Sequence, residues 1–171
     1  MSTEILTPAT ALRVPAWSDA LTLNLPTLDD THREFVDLLA RAVQSSDDEL
    51  PGAWDAVISH TRAHFELENR GMEATGFPPG GCHTREHSDI LAVMQEGARR
   101  GALGEYGLLR QLASELGTWF EQHAQSMDNA FALYANWVGY DFATGAIAHP
   151  DRIPPAPEPV ACGAEAPQTT G

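Results

Sequence analysis

Two residue pairs in this chain repeat a spacing that sets polar side chains one helical turn apart. His64 and Glu68 are four positions apart, and so are His83 and His87. On a helix, both members of such a pair project from one face. Two imidazoles at this spacing form a common metal clip. A His and a Glu at the same spacing more often make a surface ion pair or hydrogen bond. Three further residues could join them. His32 lies on a stripe with Phe35 and Leu39, and His123 continues a stripe through Leu109, Leu112, Leu116, Trp119 and Phe120. Asp128 follows His123 by five positions, about 140° round an ideal helix. A local widening of the helix would help to bring the two together. Five imidazoles and two carboxylates facing a bundle core would cost several kcal/mol unless each were paired. The partners could be metal ions, or the histidines and acids could bond one another.

Helical periodicity supplies the elements that must position these groups. Thr27 and Asp30 form a plausible capping box for a helix starting near Leu28, whose face continues through Phe35, Leu39 and Val43. A second helix is expected from Pro51, a good first-turn residue, with Val57, His60 or Thr61, His64, Leu67 or Glu68, and Met72 inward. It should end before the loop signal Gly76-Phe77-Pro78-Pro79-Gly80-Gly81. A third helix is expected from near His83 to Gly101, carrying Ile90, Leu91 and Met94, and a fourth from near Gly104 through Met127. Four amphipathic helices with short connections predict an all-α, up-down-up-down four-helix bundle. No alternating strand pattern and no internal repeat accompanies them. The expected organisation is an irregular N-terminal arm over 1–26, the bundle over 27–136, and a C-terminal extension over 137–171. Leu12, Val14, Trp17, Leu21 and Leu23 could pack as the arm, while Trp137, Tyr140 and Phe142 could fold back onto the bundle. From about Pro150 the chain is rich in Pro and Ala and is expected to be a disordered tail.

The 171 residues carry 24 acidic and 10 basic side chains, a formal net charge of −14. That balance argues against nucleic acid and against anionic membrane surfaces, which both attract clustered basic residues. No apolar run reaches the 18 or so residues of a membrane span. The start of the chain has no basic leader followed by a long apolar stretch, so the expected location is the cytoplasm. Cys82 and Cys162 make neither a disulfide framework nor a Cys-type zinc site, and are compatible with a reducing compartment.

The chain resembles the hemerythrin family, specifically its single-domain bacterial members. The matching residues are Leu28-Asp29-Asp30-Thr31-His32, His64-Phe65-Glu66-Leu67-Glu68, Met72 with Thr75-Gly76-Phe77-Pro78, the pair His83 and His87, and Trp119-Phe120 followed by His123 and Asp128. The likeness runs from about Trp17 to Tyr134, and all seven ligand positions occur in order. It implies that His32, His64, Glu68, His83, His87, His123 and Asp128 hold two iron ions with a bridging hydroxide or oxide. It further implies reversible O2 binding, for storage, transport or delivery, without enzymatic turnover. With both carboxylates and the oxide bridging, the iron held by His83, His87 and His123 is saturated. The iron held by His32 and His64 keeps one open position, where a diatomic could bind. The net charge of such a site is the same before and after O2 binds, provided the bridge gives up its proton, which suits a dry pocket of low dielectric. The set differs from the four Glu and paired Glu-x-x-His motifs of ferritin-like enzymes. Its fewer carboxylates favour a carrier over an oxygenase.

Some positions depart from the family pattern. His60 stands one turn before His64 and is expected to be half-exposed or to support a ligand. Asn69 replaces an acid and should alter bonding around the ligands. Phe120 replaces an aliphatic residue and could narrow the O2 pocket. His149 is expected in solvent, and Cys82 is a conceivable competing ligand. The competing functions are sensing of O2, NO or redox state through a protein partner, with the tail as its docking segment, and turnover of peroxide or NO.

Overall fold

A computed structural model describes residues 12–155. Helices α1 (Pro26–Gln44), α2 (Leu50–Thr75), α3 (Gly80–Gly101) and α4 (Tyr106–His123) pack in a ring, each on its chain neighbour and α4 back onto α1. That is the up-down-up-down bundle. A π-helical turn, Ala124–Asp128, carries α4 without a break into α5 (Asn129–Val138).

The helix ends follow local chemistry, with one departure from expectation. Pro26 starts α1, and Leu25 before it is extended, as the residue preceding a proline prefers. The Thr27–Asp30 capping box does not form. Thr27 is already helical, and its carbonyl accepts from the Thr31 hydroxyl at 2.8 Å. Asp29 instead turns outward from the helix start and accepts the Leu23 backbone N–H at 2.7 Å, pinning the arm. Gly76 closes α2 at φ 61°, a conformation that favours glycine, and Phe77 N–H returns to the Met72 carbonyl at 3.0 Å.

Apolar side chains collect at both ends of the helices. The larger cluster joins Phe35, Leu39, Leu50, Trp54, Val57, Met94, Leu109 and Leu116. Two smaller ones join Met72, Phe77, Phe131 and Ala135, and Leu23, Leu28 and Ala132. The arm contributes Trp17 and Leu21 to the large cluster, with the Arg33 guanidinium 4.6 Å from the centre of the Trp17 ring. Leu12 and Val14 stay exposed, contrary to expectation, and Pro15 packs inward instead, close against Gly117. After α5 the chain does fold back. Tyr140 and Phe142 pack on the Met72 and Phe131 cluster, and Tyr140 bridges to Ile147. Trp137 remains half-exposed on α5, its ring 5.8 Å from Tyr134. Pro150–Arg152 form a short 3-10 turn, and the expected tail lies largely outside the described residues.

Candidate metal centre

Between these apolar layers lies a polar one. His32 comes from the start of α1, His64 and Glu68 from the second half of α2, His83 and His87 from the start of α3, and His123 from the end of α4. All seven predicted residues, including Asp128, are buried. The π turn accounts for Asp128. It adds a residue to the helical turn, so that positions five apart share a face. His123 Nε2 consequently lies 3.1 Å from Asp128 Oδ1.

The side chains form two overlapping groups of mutually close ligand atoms that could hold metal ions. One is Glu68, His83, His87, His123 and Asp128, and the other is His32, His64, Glu68 and Asp128. Both carboxylates belong to both groups. Within the first, His83 Nε2 is 3.1 Å and His87 Nε2 is 3.3 Å from His123 Nε2. Within the second, the Nε2 atoms of His32 and His64 are 3.2 Å apart. Carboxylate oxygens approach the rings at 3.0 Å (Asp128 to His83) and 3.3 Å (Glu68 to His87). Yet none of the four oxygens of Glu68 and Asp128 accepts a well-directed hydrogen bond among the described residues. Nδ1 of His32 and of His83 are likewise unpartnered. The oxygens and ring nitrogens converge on shared points rather than on one another.

Outer contacts fix the ring orientations. His87 Nδ1 donates to Asn69 Oδ1 at 3.0 Å, and the Thr84 hydroxyl donates to the same oxygen at 3.2 Å. His123 Nδ1 donates to Glu86 Oε1 at 3.1 Å, beside the Trp119 indole N–H at 2.9 Å. With Nδ1–H directed outward, a neutral ring presents its Nε2 lone pair inward. Several lone pairs and two carboxylates at one point call for a cation. This donor set of imidazole and carboxylate suits iron, zinc or manganese alike.

Without metal the buried groups shift one another's titration. Burial opposes charge on His123, but the adjacent Asp128 and Glu86 carboxylates outweigh it and push the ring up to about 9. Burial dominates at His32 and pushes it down to about 4. Burial and Asp128 both oppose ionisation of Glu68, yet His64 and His87 hold it down at about 2. Asp128 lies well below the carboxylate range because the close His123 and His83 rings overcome its burial.

Aromatic walls close the centre. Phe65 stacks on His87 at 3.8 Å, Trp119 on His123 at 4.6 Å, and Phe120 meets His32 edge-on at 4.9 Å. His60 belongs to neither group. It is half-buried, stacks on Phe35, and donates through Nε2 to the Thr31 carbonyl at 3.0 Å, one residue before His32. His149 is exposed. Cys82, a conceivable competing ligand, belongs to neither group. Glu86 was missed in the sequence. The available signal was Trp119 four residues before His123, which sets two ring N–H donors on one face of α4 and calls for an acceptor opposite.

Residues 24–134 match the sequence profile of the hemerythrin HHE cation binding domain. This chain belongs to the hemerythrin family. It is 41% identical over 125 residues to a bacteriohemerythrin of Ralstonia nicotianae, covering 73% of this chain and 91% of that one. A bacteriohemerythrin of Stenotrophomonas maltophilia is 28% identical over 120 residues, covering 68% of this chain and 78% of the relative. The hemerythrin match spans the four bundle helices and every residue of the two ligand groups. Among the described residues no helix is long and apolar enough to cross a membrane.

Proposed function

We propose that this hemerythrin-family chain binds two iron ions and, through them, O2 reversibly. His83, His87 and His123 would hold one iron, and His32 and His64 the other. Glu68 and Asp128 would be shared between them, together with a hydroxide or oxide bridge. The observation that carries this reading is the overlap of a five-residue and a four-residue ligand group in both carboxylates. With three histidines for one iron and two for the other, the second iron would be one protein donor short, and O2 would bind there. Iron(II), when bound, supplies the electrons for reversible O2 binding.

The chain's own residues do the rest. Glu68 and Asp128 supply the anionic charge that offsets the metals. Phe65, Trp119 and Phe120 exclude water, which limits proton leakage and side reactions. Phe120, buried against His32, bounds the space beside the two-histidine group. The proposed role is storage, transport or delivery of O2, with no catalytic turnover, in the cytoplasm.

The test is anaerobic reconstitution with Fe(II), admission of O2, a visible spectrum, and removal of the gas. A coloured band that appears and then vanishes supports the proposal. Irreversible conversion to a ferric spectrum points to redox sensing or turnover. No iron-dependent spectrum overturns the di-iron reading.

A further inference from the structure

The histidines of the five-residue group differ in what stands behind them. His87 Nδ1 has the neutral Asn69 carbonyl at 3.0 Å. His83 Nδ1 has no partner among the described residues. His123 Nδ1 has the Glu86 carboxylate at 3.1 Å. Glu86 is one-third exposed, and the Trp119 indole, stacked on the His123 ring, holds it by a second N–H at 2.9 Å. In the four-residue group, His32 Nδ1 has no partner among the described residues. The carboxylate support is therefore one-sided.

We propose that Glu86 is a positioning residue that widens the affinity gap by which the His83, His87 and His123 pocket fills with metal before the His32 and His64 pocket. This rests on the two-metal reading above. A carboxylate behind an imidazole fixes its tautomer and ring orientation and raises the donor strength of the inward nitrogen. Losing such a support typically weakens metal affinity about 10–100-fold. The five-against-four ligand count acts in the same direction, so removing the Glu86 charge narrows the difference between the pockets without reversing it. Trp119 keeps Glu86 in place and shares its oxygen.

The experiment titrates the metal-free full chain with Co2+ under anaerobic conditions, followed by calorimetry and the visible cobalt bands. The wild type is expected to fill in two resolved steps. Glu86→Gln keeps an acceptor and removes the charge. It should weaken the first step about 10–100-fold and leave the second unchanged. Glu86→Asp, which restores the charge, should recover part of the loss. Glu66→Gln removes the same charge from an exposed position on α2 and should leave both steps alone. If Glu86→Gln fails to fold, Trp119→Phe takes its place. It should weaken the first step by a smaller factor and shift the His123 Nδ1–H resonance of the Zn2+-loaded protein. Wild-type steps in Glu86→Gln, or equal losses in Glu86→Gln and Glu66→Gln, overturn the inference. A wild type that takes up no Co2+ overturns the metal reading beneath it.

Discussion

Removing the proposed metals should destabilise this chain locally, by an amount that its unpartnered atoms bound. Among the described residues six buried side-chain atoms lack a hydrogen-bond partner: both oxygens of Glu68 and of Asp128, and Nδ1 of His32 and His83. A buried polar group left unsatisfied costs about 1–3 kcal/mol, and more when charged. Together that is roughly 6–18 kcal/mol, comparable with the whole stability of an ordinary domain at about 5–15 kcal/mol. Protons on the histidines relieve part of it in the metal-free form. Metal at about 100 times its dissociation constant contributes about 2.7 kcal/mol per site. Two such sites, at about 2–4 °C per kcal/mol for a chain of this size, raise the melting temperature by about 11–22 °C. The assay is calorimetry of chelated and Fe(II)-loaded protein at fixed free metal under anaerobic conditions. Hydrogen exchange locates the effect. Amides around His64–Glu68, His83–His87 and His123–Asp128 should lose protection without metal. Those around Trp54 and Met94 should keep it, since they belong to the large apolar cluster and Trp54 Nε1 bonds the Met94 carbonyl at 3.1 Å. Equal melting temperatures at saturating iron, or uniform loss of protection along the chain, would refute the reasoning.

Three more expectations follow from the same contacts. The metal-free protein should be most stable near pH 6.5. His123, raised from 6.5 to about 9, stabilises the fold fully below 6.5 and loses that contribution as pH rises through 9. His32, lowered from 6.5 to about 4, makes the unfolded chain take up a proton first as pH falls below 6.5. A metal-free melting temperature that climbs steadily from pH 6.5 to 9 contradicts this. Gly71→Ala should cost about 1–3 kcal/mol, because its Cβ would meet Phe131 Cζ at 2.8 Å and Tyr140 Cε1 at 3.0 Å. An unchanged urea midpoint would show that the returning segment does not pack as described. Phe120→Leu should cost about 1 kcal/mol of stability and speed O2 release from the iron-loaded protein, since its ring packs edge-on against His32 with the ring centres 4.9 Å apart. Identical release kinetics in stopped flow would remove Phe120 from any role in the pocket.

The parts of this molecule that repeat along the chain were legible in its sequence. Helical periodicity marked the four helices, and Gly76 and Pro51 marked ends because their backbone preferences act locally. His32 and His123 stood out because they lie on apolar stripes, where a polar group without a purpose is expensive, and the two pairs by their four-residue spacing. Asp128 lay off the His123 face, and the full set of seven came from the family resemblance. The supporting contacts were hidden for the opposite reason. Glu86 is one of 24 acids, and only the crossing of α3 and α4 sets it against His123. Asp29 gives no sign in the sequence of its bond to the Leu23 backbone N–H, which only the arm's return creates.

Asp128 joins the local and the tertiary parts of this argument. In a regular helix it would point about 140° away from His123, and the shared carboxylate would be lost from both ligand groups. The π turn removes that misfit within five residues, Ala124–Asp128. It lies between two well-packed stretches of one rod, with Leu116 and Phe120 before it and Phe131 and Ala135 after it. Both flanks are fixed by apolar burial, so the irregularity has no route to relax by sliding either one. A π turn is less favourable than α-helix and persists where surrounding structure over-determines it. Here it is held at the one place where a regular helix would leave the proposed metals without their second shared carboxylate.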